Sequence, residues 1–78
     1  MEAPDPERQK FDRVLKKTQD LLEKNGWQMK KDDAVRTLTR ELNMDEDDVR
    51  ETLDKVVADP HNNVKKGTGA HEFIYYQK

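Results

Sequence analysis

Apart from a four-residue alternation at Trp27 to Lys30, the spacing of the apolar residues changes once along this chain, and that change limits what it can fold into. Up to Val57 they recur every three or four positions, in three stripes. The first is Phe11, Val14, Leu15, Leu21 and Leu22, with polar Thr18 filling a gap; the second is Ala34, Val35, Leu38 and Leu42; the third is Val49, Leu53, Val56 and Val57. Such spacing puts each set on one side of a helix. After Asp59-Pro60 the period shortens to two. Val64-Lys65-Lys66 reads as a strand, Gly67-Thr68-Gly69 as a turn, and the aromatic and β-branched run from His71 to Gln77 as the returning strand. Phe73 and Tyr75 share one face of that strand, Ile74 and Tyr76 the other. Both faces are apolar, so the pattern leaves open which one enters the core.

Punctuation residues set the boundaries. Met1 to Pro4 reads as a frayed tail, with one domain running from residue 6 to residue 78. Asp5-Pro6-Glu7 opens a helix, because Asp can cap, Pro suits the first helical position and Glu complements the helix dipole. Asn25-Gly26 closes it, since Gly tolerates a left-handed backbone. Trp27-Gln28-Met29-Lys30 alternates apolar and polar, which predicts a short strand with Trp27 and Met29 inward. Asp32 or Asp33 is expected to cap the second helix, and Asn43-Met44 to end it. Asp45 starts the third, with Asp48 at the capping-box offset. Asp59 stops it, because a residue before proline avoids helix.

Composition then removes whole classes of function. A chain of 78 residues has a small core, and with no cysteine it has neither a disulfide nor a thiolate zinc site to reinforce it. His61 and His71 lack partners for a ligand set, so no metal and no cofactor is expected. Serine is absent along with cysteine, so the commonest nucleophiles are missing, and a non-enzymatic role is expected. Gly67-Thr68-Gly69 is too short for a phosphate loop. No apolar run approaches the roughly 20 residues of a membrane span, and no signal peptide opens the chain. An intracellular location (cytoplasm, nucleoid or nucleus) is the expectation. Lys10, Arg13, Lys16 and Lys17 leave the first helix only a narrow apolar stripe, so a monomer or weak homodimer is expected.

The order helix, strand, helix, helix, strand, strand resembles the winged helix-turn-helix family, an α+β fold of three helices and a small antiparallel sheet. The segment from Ala34 to Val56 looks like the family's helix-turn-helix core. Leu42 closes one helix, Asn43 and Met44 form the turn, and Val49 and Leu53 point inward from the next. Val64 to Tyr76 looks like the wing. The resemblance covers about residues 6 to 77. It implies binding of duplex DNA, with the third helix in the major groove.

The charges of that helix depart from the family's pattern. Residues 45 to 59 hold seven acids and two bases, a net of −5 within a chain whose total is −2. Helical periodicity turns Asp47, Glu51 and Asp54 outward, where carboxylates would face phosphates. Three readings of this face stay open: a solvated surface, a dock for a protein with a basic surface, and a mimic of nucleic-acid phosphates. Tyr75 or Tyr76, whichever faces outward, is a further docking candidate. For duplex DNA the candidate contacts are Lys65, Lys66, Thr68 and His71 of the wing, Lys30 and Lys31 before the second helix, and Arg36 and Arg40 on it. The aromatic residues Trp27, Phe73, Tyr75 and Tyr76 could also stack on single-stranded bases.

Overall fold

The three apolar stripes fall in helices and the alternating stretches in strands. A computed structural model describes residues 6–77. The expected tail at Met1 to Pro4, the capping role of Asp5 and the last residue, Lys78, lie outside the described residues. The elements are α1 (Pro6–Lys24), β1 (Gln28–Lys30), α2 (Lys31–Leu42), α3 (Glu46–Ala58), β2 (Val64–Gly67) and β3 (Phe73–Tyr76). The sheet is antiparallel, in the order β1-β3-β2. Three helices and a three-stranded sheet in the expected order make a small α+β fold.

Each helical stripe supplies part of one core. Val14, Leu21 and Leu22 of α1, Ala34, Val35 and Leu38 of α2, and Val49, Leu53 and Val56 of α3 are buried together with Val64 and Ile74 of the sheet. The open face of the three helices is therefore closed by β2 and β3. Ile74, not Phe73 or Tyr75, is the inward side of β3, which resolves the ambiguity of its two apolar faces. Phe11, Leu15, Leu42 and Val57 pack around the rim.

Thr18 sits inside this core, and its hydroxyl is buried without a hydrogen-bond partner among the described residues. An unpaired buried polar group is destabilising, whereas a methyl of similar shape is not. Thr18→Val should therefore raise the unfolding free energy by about 1 kcal/mol. An unchanged or lower midpoint in urea would show that the hydroxyl has a partner.

Two helix ends depart from the sequence expectation. Lys30, not Asp32 or Asp33, is the N-cap of α2, and no side chain caps it. Asp32 and Asp33 lie inside the first turn, where their charge still suits the dipole. Asp45 is the N-cap of α3 without a side-chain cap, so Asp48 completes no capping box. The turn at Asn43 follows the expectation. It adopts φ 53°, ψ 47°, and its N–H donates to the Thr39 carbonyl. Asn tolerates this left-handed conformation better than most residues.

Trp27 is the largest departure. Alternation predicts it inward beside Met29, yet it is 44% exposed. Gly26 at φ 77° and Trp27 at φ 72° form two consecutive left-handed residues. That turn carries the Trp27 N–H back to the Leu22 carbonyl, 2.6 Å away. The indole is thereby placed at the end of the sheet, tilted against Tyr76 with ring centroids 5.1 Å apart.

Candidate nucleic-acid interface

The acidic residues of α3 are partly answered by cations that the fold brings to them. Lys10 of α1 lies 3.7 Å from Asp48. Arg50 reaches Glu46 at 3.1 Å and Asp32 of α2 at 3.4 Å. The hydrogen bond to Glu46 is the main cause holding the Arg50 guanidinium above its ordinary pKa. Lys55 bridges Glu7 of α1 and Glu51 at 3.4 and 3.9 Å. Exposed pairs of this kind contribute little to stability, because water screens them. Lys10 is the cation that these pairs add from outside α3, and they bring Asp32 and Glu7 to the same surface, so it stays acidic. Asp47 alone of the three outward candidates has no ion pair among the described residues. Asp59 accepts from the His61 N–H at 2.8 Å and shapes the exit from the helix.

Lys31, a DNA-contact candidate by sequence, leaves the contact set because it is only 6% exposed. As the first residue of α2 it falls on the stripe of Ala34, Val35 and Leu38, so its side chain runs into the domain. Its ammonium meets Asp54 of α3 at 2.5 Å and Glu72, just before β3, at 3.3 Å. Its backbone N–H donates to the Glu72 carbonyl at 3.1 Å. Burial alone would lower the Lys31 pKa, but the hydrogen bonds and charges of Asp54 and Glu72 outweigh it, and the pKa is raised. Asp54, a docking candidate by sequence, is 52% exposed and pairs with Lys31 through this contact. The spacing of Lys31 with the apolar stripe is the signal that identifies it, once the helix is started at that residue.

The remaining cations fall into separate groups. Antiparallel register puts Gln28, Tyr75 and Lys65 in one row across the sheet, and Lys30, Phe73 and Gly67 in the next, all on the face turned away from the helices. Thr68 and His71 are exposed at the hairpin end, and Lys66 is exposed on the edge strand. Arg36 and Arg40 are exposed on the outer side of α2 and, among the described residues, make no ion pair with the hairpin. Arg13, Lys16 and Lys17 of α1 border a groove of about 230 Å³ with Leu42 and Asp20. A larger hollow of about 410 Å³, between the start of α1 and the end of α3, is lined by acids and bases together, with Phe11 among them.

The two tyrosines separate. Tyr76 packs on the core side, and its hydroxyl accepts from the Asn63 side-chain amide at 3.0 Å. It is thus a structural residue more than a docking one. Tyr75 faces outward beside Phe73, with ring centroids 5.8 Å apart.

Among the described residues no three His, Cys, Asp or Glu side chains gather as a metal site. No helix among them is long and apolar enough to cross a membrane. No protein-family model matches the chain, and no curated protein or solved structure matches it either.

Proposed function

We propose that this chain is a non-enzymatic winged-helix module that contacts duplex DNA through its hairpin and sheet edge, with α3 turned away from the duplex. One observation carries the reading. The outward side of α3 presents Asp47 and Glu51, whereas the hairpin carries Lys65 and Lys66, with Thr68 and His71 at its end, against one carboxylate, Glu72, which is paired with Lys31, and Lys30 lies on the adjoining β1. Phosphates favour the second surface, since affinity for duplex DNA comes largely from neutralising them. Arg36 and Arg40 extend the contact only for a duplex that also reaches the outer side of α2. The acidic-dock and mimic readings rest chiefly on Asp47 and Glu51, because Asp54 is paired with Lys31.

The test is anisotropy of a labelled mixed-sequence duplex at two or more salt concentrations. Non-specific DNA binders typically give Kd values of about 10⁻⁴–10⁻⁶ M. The expected result lies in that range and weakens steeply with salt. Lys65→Ala with Lys66→Ala should weaken all sequences alike and lower the salt slope by about two. No binding at low salt up to ~100 μM would be weaker than that range and would overturn the reading.

A further inference from the structure

The sheet has an outer face that the helices do not use. Its six register positions are Gln28 and Lys30 on β1, Phe73 and Tyr75 on β3, and Lys65 and Gly67 on β2. The two aromatic residues occupy the central strand, and neither packs against the core. Aromatic rings usually serve a core; these lie on the opposite side of the strand from Ile74. The Phe73 ring fills the space that a Cβ at Gly67 would take, so the glycine lets it lie across the neighbouring strand. Lys30 flanks Phe73 in one row, and Lys65 flanks Tyr75 in the other. No position on this face is acidic. The Lys65 ammonium approaches a neutral group, the Asp59 carbonyl, at 3.5 Å.

We infer that this face is a stacking platform for single-stranded DNA, with one base on Phe73, its neighbour on Tyr75, and Lys30 and Lys65 against the flanking phosphates. Aromatic faces beside cations are the chemistry that holds single strands, because every base has a stacking face and every link a phosphate. Stacking selects against a duplex, because base faces inside a duplex are already covered by their neighbours. The two rings lie side by side, with centroids 5.8 Å apart and planes tilted by 40°. Two adjacent bases can therefore cover both rings only when they are splayed apart. The stacking chemistry stands independently of the duplex reading above; only the choice of DNA over RNA rests on it.

The test is a titration of the full chain with labelled dT15, rU15 and a 15-base-pair duplex under the same buffer. Base–aromatic stacking predicts that Phe73→Leu and Tyr75→Leu each weaken dT15 by about fivefold or more. Together they should weaken it by about thirtyfold. Leucine keeps both positions apolar, and the duplex Kd of the double variant should stay within about twofold of the parent. Lys30→Gln should lower the salt slope for dT15 by about 0.7. In the unaltered chain, the aromatic proton resonances of Phe73 and Tyr75 should shift upfield as dT15 is added, a readout that does not depend on any variant folding. Absence of dT15 binding at low salt overturns the proposal. So does a double variant that binds dT15 like the parent, or a titration that leaves both rings' resonances in place. Tighter binding of rU15 than dT15 overturns the assignment to DNA. Loss of duplex binding alone, with dT15 still bound through the two rings, refutes the duplex reading and leaves the platform standing.

Discussion

Leu38→Ala should lower the unfolding free energy by about 2–5 kcal/mol, read as a fall in urea midpoint with little change in slope. Leu38 is fully buried, in the middle of the α2 stripe. Its removal takes apolar surface out of the core and leaves a cavity that neighbouring helices close only in part. Native domains are stable by roughly 0.05–0.15 kcal/mol per residue, so a chain this short has only about 4–12 kcal/mol to lose. The variant is expected to be partly unfolded at physiological temperature. Arg36→Ala, two residues earlier on the exposed side of the same helix, should stay within about 0.5 kcal/mol of the parent. Equal, small effects from both substitutions would mean that α2 does not pack through this stripe.

The contrast between those two positions is the part of the fold that periodicity makes legible. Every buried apolar residue of the helices lies on a stripe that helical spacing identifies, because burial selects one side of a helix and leaves the other free. Asn43 is legible for a related reason: its conformation is set by its own side chain and its neighbours. What the pattern misses is tertiary. Nothing in the local sequence says that Lys10 of the first helix will meet Asp48 of the third, or that Glu7 and Asp32 will join the same surface. Trp27 alternates correctly with Met29, but the left-handed turn at Gly26 and Trp27 overrides the alternation and turns the indole out. The outer sheet face needs the register of three strands before Lys30, Phe73 and Gly67 fall into one row. The candidate site is therefore legible as a set of residue types, while their grouping is not.

The second large effect is expected at Lys31, where a charge has been carried into the domain. Its ammonium joins the start of α2 to Asp54 of α3 and to Glu72 at the root of the hairpin. Removing both carboxylates, by Asp54→Ala with Glu72→Ala, leaves a buried cation without a counter-charge. Breaking a fully buried pair from one side destabilises by about 3–5 kcal/mol. Here the carboxylates are 52% and 55% exposed and partly screened by water, so a loss of about 2 kcal/mol is expected. Lys31→Met should be nearly neutral in the parent, since an apolar side chain of similar length replaces the ion pair. Added to the double carboxylate variant, it should restore most of the loss. This non-additivity separates a buried, compensated charge from an ordinary surface pair, whose three substitutions would simply sum. The pH dependence has a definite sign. A lysine whose pKa is raised by folding contributes stability that is fully present below its unfolded value of about 10.4 and is lost as pH rises through the folded value. The parent should therefore lose stability in that alkaline window, and Lys31→Met should lose less. Because Glu72 leads directly into β3, amide exchange in Phe73 to Tyr76 should accelerate with the carboxylate variants before exchange in α1 does. If exchange instead rises equally in both elements, Lys31 stabilises the domain as a whole and does not hold the hairpin in particular.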